Sequence, residues 1–236
     1  MKRLGVVIVT YDSARYLEVC LESLFAELEG QDFRVVVVDN ASRDDVGEFL
    51  DEQVTLISNA SNLGFATAAN QGIRWCQDEG CEEILLLNPD TMMESGSLDL
   101  IRQALSEDEK RVVVQPLITL MKDPGKVNTW GNTDKGFGLV SLGGYKKPVR
   151  LADSGPIQFA SGACMLVSAG VFAEIGYLDE GFFLYFEDTE FSKRVRERGY
   201  SLWLEAGARV RHDYQRPFSR EKVFRFLKSW RKYRVR

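Results

Sequence analysis

Along the first half of the chain, short continuous apolar runs alternate with segments whose apolar residues recur at helical spacing. Leu4–Thr10 is such a run, and Ser13 stands as a helix N-cap before Leu17, Leu21 and Leu24, which share one helical face. Residues 33–38 form a second run, ending at Asp39-Asn40, and Val54–Ser58 a third. Residues 67–77 read as a helix, and Glu83–Leu87 is a fourth run that ends at Asn88-Pro89-Asp90. Ser95 is placed to cap a helix reaching Ser106, and residues 112–115 follow as another strand. Strands that are apolar throughout, rather than alternating, are buried on both faces. Separated by helices, they predict an α/β fold on a mostly parallel sheet flanked by helices.

The pattern then changes. Residues 122–158 are dense in turn formers, among them Asp123-Pro124-Gly125, Trp130-Gly131-Asn132, Gly143-Gly144 and Gly155-Pro156, so loops and short hairpins are expected there. Beyond them, Cys164–Ser168 reads as a strand and 169–175 as a short helix. Residues 187–198 read as an amphipathic helix stopped by Gly199, and 200–204 as a strand. Ser219 is placed to cap a last helix with Val223, Phe226, Leu227 and Trp230 on one face.

Composition narrows the class. The 236 residues, 44% hydrophobic and 28% charged, describe an ordinary globular chain rather than a disordered one. No apolar run approaches the roughly 18–20 residues that cross a bilayer. The N-terminal run meets Thr10-Tyr11-Asp12 too soon for a secretory signal, so a cytoplasmic protein is expected. Cys20, Cys76, Cys81 and Cys164 are too scattered for a disulfide framework and are expected as buried reduced thiols. Charge is uneven: residues 1–208 carry 19 Lys and Arg against 33 Asp and Glu, whereas residues 209–236 carry 11 against 2. An acidic body with a basic tail points to an anion-seeking appendage, and one short basic helix on such a body makes nucleic acid the weakest partner.

Ligands of open parallel sheets bind outside the carboxyl ends of the strands. Those ends deliver Thr10-Tyr11-Asp12, Asp39-Asn40-Ala41-Ser42 and Asn88-Pro89-Asp90-Thr91, with Asn59, Asn62 and Gly64 after the third strand. Each alone reads as a turn or a cap; gathered at one edge they read as a site. The chain has no Gly-x-Gly-x-x-Gly after the first strand, no phosphate loop ending Gly-Lys-Ser/Thr and no Gly-x-Ser-x-Gly elbow. An acidic site with no Lys or Arg on the strand tips accepts phosphate only through a divalent cation. Asp90 then reads as a hard-metal ligand and His212, the only histidine, as an imidazole available to the same ion. Glu187-Asp188, behind the aromatic stretch Phe182-Phe183-Leu184-Tyr185-Phe186, reads either as helix-dipole partners or as a carboxylate whose pKa the aromatic wall raises toward general-base use.

These residues resemble glycosyltransferase family 2, the inverting nucleotide-sugar enzymes of the GT-A fold, and within it the rhamnosyltransferase-like bacterial branch. The matching stretches are Val6-Val7-Ile8-Val9-Thr10-Tyr11, Val37-Val38-Asp39-Asn40-Ala41-Ser42, Asn62-Leu63-Gly64-Phe65-Ala66 with Asn70-Gln71-Gly72, Leu86-Leu87-Asn88-Pro89-Asp90, Ser161-Gly162-Ala163, and Ile175-Gly176-Tyr177-Leu178-Asp179-Glu180 with Phe183-Leu184-Tyr185-Phe186-Glu187-Asp188. The resemblance implies that Thr10, Tyr11 and Asp39 hold the nucleoside, and that Asn62, Gly64, Asn70 and Asn88 shape the nucleotide-sugar pocket. It implies that Asp90 and His212 bind manganese or magnesium, that Asp188 is the catalytic base and that Glu187 lies close to a sugar. A single catalytic domain over 1–212 is expected, with a nucleotide-binding half (1–115) and an acceptor half (116–212), followed by a basic tail (213–236).

Two departures stand out. Asn88 replaces the first aspartate of the metal motif, which weakens metal binding by one carboxylate. Asp12 stands where the family often has Asn. The implied reaction moves rhamnose or another hexose from a dTDP or UDP donor to a glycan or lipid-linked acceptor in cell-surface polysaccharide assembly. The tail, residues 219–236, is expected either to lie on an anionic membrane at the inner face or to pack on its own domain. Two other readings compete. A sugar nucleotidyltransferase would need a glycine-rich basic loop where Thr10-Tyr11-Asp12-Ser13 stands, and a non-catalytic scaffold would need Asp90, Asp188 or His212 to be lost.

Overall fold

The computed structural model describes residues 2–134, 140–213 and 220–234. The first half is a run of β/α units: β1 (Leu4–Thr10), α1 (Ala14–Leu28), β2 (Phe33–Asp39), β3 (Val54–Ser58), α2 (Phe65–Asp78), β4 (Glu83–Leu87), β5 (Thr91–Met93) and α3 (Ser97–Ser106). The second half holds β6 (Arg111–Leu120), β7 (Asp123–Thr129), the hairpin of β8 (Asn132–Asp134) and β9 (Val140–Leu142), β10 (Gly155–Ile157) and β11 (Cys164–Ser168). It ends with α4 (Gly170–Ile175), α5 (Glu187–Glu197), β12 (Ser201–His212) and α6 (Arg220–Arg234).

The central sheet runs β10-β12-β6-β11-β4-β1-β2-β3, with β5 on β12 and β7 on β6. The β3-β2-β1-β4 part is parallel, as is the β6–β12 pair; β11 runs antiparallel to both β4 and β6. The sheet is therefore mixed, and parallel chiefly in its β3-β2-β1-β4 half. Alternate residues of each strand feed two cores. Val6, Ile8, Val35, Val37, Leu85 and Leu87 pack with Leu17, Leu24, Leu98 and Ile101 on one face. Val7, Val36, Val38, Ile84 and Leu86 pack with Ala69, Ile73, Phe172, Phe191 and Val195 on the other. This double burial is why the strand sequences show no alternation.

From β1 the chain winds outward through β2 to β3 and then returns to place β4 on the opposite side of β1. The connections beyond β1 and β4 therefore diverge, and the crevice they leave at the strands' carboxyl ends is where a ligand fits. The 59–64 loop lies at the same end, and α2 begins directly behind Gly64.

Four local expectations are corrected. Ser13 occupies the N-cap position of α1 but its hydroxyl donates to Tyr11 O; the Ala14 N–H is capped instead by Asp44 Oδ2 at 2.9 Å. Ser95 does not cap α3. Gly96, at φ 78°, is the N-cap, and both carboxylate oxygens of Glu27 accept the Gly96 and Leu98 N–H groups at 2.9 Å. The strand expected at 112–115 runs from Arg111 to Leu120 through Pro116, and the strand expected at 200–204 runs from Ser201 to His212. Pro116, which has no N–H to give, lies opposite Glu205 at the point where β12 bulges. Ser219 lies outside the described residues. All four cysteines are free and buried.

Candidate active site

The polar tips of β1, β2 and β4 open onto a cavity of about 530 Å3. Its walls include Thr10, Tyr11 and Asp12 from β1, Asn40 from β2, Asn62, Gly64 and Phe65 from the turn into α2, and Asn88, Pro89 and Asp90 from β4. His212 at the end of β12, and Phe183, Leu184 and Tyr185 from the segment before α5, close it. Of the residues expected in the site, Asp39, Asn70, Glu187 and Asp188 do not line this cavity.

The β1 tip is shaped by backbone and charge. Asp12 takes a left-handed backbone, φ 51°, which Asp tolerates better than most residues. Its carboxylate pairs closely with the exposed Arg43 guanidinium, which holds it below the usual carboxylate range. Thr10, a residue of the cavity wall, has its Oγ1 buried with no hydrogen-bond partner among the described residues. Tyr11 is 47% exposed, an aromatic ring at the cavity mouth. Asp39 lies beside Thr10 in register, and its Oδ1 accepts the Ser42 N–H at 3.1 Å.

The 59–64 loop is organised by a side chain whose role is invisible in the linear sequence. The buried Asn40 amide donates to Asn62 Oδ1 (3.0 Å) and Gly64 O (3.1 Å), while its oxygen accepts from Asn59 Nδ2 and Leu63 N. Gly64 has φ +87°, and a Cβ there would lie 2.5 Å from Phe183 O. Only glycine allows the turn to approach that carbonyl, which also accepts the Phe65 N–H at 2.8 Å. Asn70, buried in α2, acts at a distance from the cavity: its amide spans Leu178 N, Leu178 O and Glu180 Oε1 and so fixes the 178–180 turn.

Asp90 and His212 do meet. Asp90 Oδ1 lies 3.2 Å from His212 Nε2, both on the cavity wall, and β5 and β12 bring them together by pairing Thr91 with His212. His212 Nδ1 is 3.3 Å from Oδ1 of the buried Asn128. With Nδ1–H donating to Asn128, the Nε2 lone pair faces the Asp90 carboxylate, and two acceptors face one another unless a proton or a cation lies between. One oxygen donor and one imidazole fit Mn2+ better than Mg2+. Among the described residues no group of three or more His, Cys, Asp and Glu side chains gathers to hold a metal, so substrate oxygens would complete the shell of an ion held by these two.

On the far side of Phe65, Gly162 lies in van der Waals range of both that ring and Asp188: a Cβ on it would be 3.5 Å from Phe65 Cε1 and 3.6 Å from Asp188 Cβ. Asp188 Oδ2 accepts the Gly162 N–H at 3.0 Å, and Oδ1 accepts the Thr189 N–H at 2.6 Å. Burial raises the Asp188 carboxyl above its ordinary value in spite of these donors. Glu187 is more deeply buried, and burial followed by the neighbouring Asp188 charge pushes it well above the carboxylate range. Its Oε2 has no partner among the described residues. Tyr185 and Phe186 enter α5 with φ 70° and 73°, two consecutive left-handed residues that cost about 1–2 kcal/mol each.

Arg15 and Tyr16 are the wall residues that the sequence pattern does not single out. The cavity is therefore not without a cation: Arg15, on the first turn of α1, stacks on Tyr16 and donates to its hydroxyl at 3.0 Å, and that hydroxyl donates to Asp213 Oδ2. The signal available was position, one helical turn past the β1 tip. Trp130, Gly143 and Gly144 of the turn-rich stretch pack on one another and none lines the cavity.

Solved structures share this architecture. GalNAc-T7, determined with UDP, GalNAc and Mn2+, superposes with a TM-score of 0.74 over 99% of this chain and 47% of its own, at 16% identity. The mannosyltransferase PcManGT of Pyrobaculum calidifontis, determined with GDP-Man and Mn2+, gives 0.69 over 95% of this chain and 60% of its own, at 15% identity. The fold is thus GT-A. Among curated proteins, the low-salt glycan biosynthesis hexosyltransferase Agl10 of Haloferax volcanii is 30% identical over 84% of this chain and 63% of its own length. The N-acetylglucosaminyl-diphospho-decaprenol L-rhamnosyltransferase of Mycobacterium tuberculosis is 28% identical over 89% of this chain and 75% of its own. The dTDP-rhamnosyl transferase RfbF of Shigella flexneri is 28% identical over 82% and 63%. This chain thus spans about two thirds of the length of these relatives. The model of glycosyl transferase family 2 matches residues 5–176, from the first residues of β1 through the cavity-lining tips to the end of α4, and the chain belongs to that family.

Proposed function

We propose that the chain is an inverting glycosyltransferase that moves a hexose, rhamnose foremost, from a dTDP or UDP donor to a glycan or lipid-linked acceptor in cell-surface polysaccharide synthesis. The observation that carries this reading is Asp188, a half-buried carboxyl oriented by two backbone N–H groups, kept more basic than usual by burial and set against Gly162, which also neighbours the cavity-wall residue Phe65. The named rhamnosyl- and hexosyltransferases among the relatives support the donor class.

Residues 1–115 supply the donor half. Thr10, Tyr11 and Asp39 hold the nucleoside, Asn62, Gly64 and Asn88 shape the sugar end, and Arg15 faces the diphosphate with a guanidinium suited to it. Asn70 serves the same pocket through the 178–180 turn. Asp90 and His212 would hold the divalent cation, manganese by preference, which when bound neutralises charge on the leaving phosphate.

Residues 116–212 supply the acceptor half. Asp188 accepts the proton of the acceptor hydroxyl as its oxygen bonds to the anomeric carbon, and the bond to the nucleoside diphosphate breaks on the opposite face, inverting the centre. Glu187, beside Asp188 and raised well above the ordinary carboxylate value by burial and then by that charge, stands close to the sugar.

The assigned base is tested by Asp188→Asn. Turnover of dTDP-rhamnose or UDP-glucose is expected to fall by about 10²–10⁴-fold while nucleoside-diphosphate affinity stays within about twofold. The wild-type product should carry the inverted anomer by NMR. Parallel loss of turnover and affinity, or a retained anomer, contradicts the assignment.

A further inference from the structure

The segment that carries the cavity residues Phe183, Leu184 and Tyr185 is gripped from two sides, and α6 makes one of the grips. Ser229 Oγ donates to Leu184 O at 2.8 Å. The Arg225 guanidinium lies 3.8 Å over the Phe183 ring. Phe226 packs against the rings of Tyr185 and Phe186, with centroids 5.9 and 5.2 Å away, and Tyr233 stacks on Phe186 at 5.5 Å. Lys232 Nζ reaches Asp179 Oδ1 at 3.3 Å. Phe182, Phe186 and Tyr233, with Tyr185 and Trp230 against them, make a small core separate from those on the two faces of the sheet.

The other grip is the hydrogen bond from Phe65 N–H to Phe183 O, on the donor side of the cavity. Between the grips the backbone holds two left-handed non-glycine residues, Tyr185 and Phe186, immediately before Glu187 and Asp188. Such a conformation persists only where surrounding contacts over-determine it, and α6 supplies ring contacts to both residues.

We propose that α6 is a positioning strap for the acceptor side of the cavity: Ser229, Phe226 and Tyr233 hold residues 182–186 in their strained form and thereby set where Asp188 and the 183–185 wall stand. None of the three touches substrate; they act through the segment they hold. The proposal rests on the glycosyltransferase reading for its consequence in catalysis, and on the packing alone for its consequence in structure.

The test uses the full chain with Tyr233→Ala and Ser229→Ala, and Glu109→Ala in the exposed turn between α3 and β6 as control. By hydrogen exchange, the amides of residues 182–190 are expected to exchange about tenfold faster in the first two variants, with those of β4 unchanged. Affinity for dTDP or UDP should stay within about twofold, while release of nucleoside diphosphate from dTDP-rhamnose or UDP-glucose in the presence of acceptor falls about tenfold or more. The control should match wild type in all three. Unchanged exchange at 182–190, faster exchange in β4 as well, or a loosened segment with full turnover would each overturn the proposal. Failure of the glycosyltransferase reading has a different signature, since the wild-type chain would then release no nucleoside diphosphate while the exchange comparison still reported on the strap.

Discussion

At the scale of single residues, the site is legible where polar side chains end buried strands. Thr10, Asn88 and Asp90 line the cavity because a parallel strand leaves its carboxyl end at the sheet edge whatever the loop does next. Arg15 and Asn40 were not legible as wall and hub. A helix residue faces a site only once the helix is docked, and Asn40 acts on Asn62 and Gly64, more than twenty positions downstream. The Asp12 departure from the family pattern is absorbed locally by Arg43. The Glu187–Asp188 pair carries a pH dependence with a definite sign. A carboxyl with a raised folded-state pKa binds extra protons when folded, so its contribution to stability is whole below the unfolded pKa of about 4 and is lost as pH rises through the raised value. Glu187→Gln removes that loss. Its melting temperature should therefore match wild type near about pH 4 and exceed it once pH rises above that. A gap that narrows as pH rises contradicts burial as the cause.

At the scale of elements, the strands Val54–Ser58, Glu83–Leu87 and Cys164–Ser168 lie where their apolar runs predict. The helix caps and the long strands do not. Capping by Asp44 and Glu27 is done by side chains remote from the helices they cap, and a search for Ser or Thr at the N-cap has no access to them. The strands β6 and β12 read short because Pro116 and the Ala206-Gly207 step end the apolar pattern, whereas the bulge opposite Pro116 lets pairing resume at Arg209. One inter-element contact has a measurable weight. Arg102 of α3 and Glu83 of β4 form a buried ion pair at 2.7 Å, 9% and 6% exposed, with the guanidinium also bonded to Lys2 O. Arg102→Ala strands the Glu83 charge and is expected to cost about 3–5 kcal/mol in urea unfolding, while the double replacement Arg102→Met with Glu83→Leu costs much less. Equal losses from the single and double variants would contradict a buried, mutually dependent pair.

At the scale of the whole molecule, the parallel half of the sheet brings the strand tips together, and the mixed half brings His212 and α5 to the same end. Order along the chain showed the first and could not show the second, because β11 reverses direction between β4 and β6. The tail was read as either membrane-seeking or packed, and its inner side is packed on the 182–186 segment. Its outer side keeps Leu227 47% exposed beside Lys228 and Arg231, and among the described residues no helix is long and apolar enough to cross a membrane. We propose that this outer side meets anionic lipid. Co-sedimentation with phosphatidylglycerol vesicles, absent with phosphatidylcholine and lost in Leu227→Glu with Lys228→Glu, is the expected result, and binding that ignores lipid charge contradicts it. The central claim is that the cavity at the tips of β1 and β4 takes a nucleoside diphosphate, with Asp90 and His212 holding the cation beside it. Calorimetric titration with UDP, dTDP and GDP, in Mn2+ and again with chelator, tests this most directly. One of UDP and dTDP should bind, several-fold tighter with Mn2+, and Asp90→Ala should abolish the difference. No binding of any of the three, or binding that the chelator leaves unchanged, would contradict it.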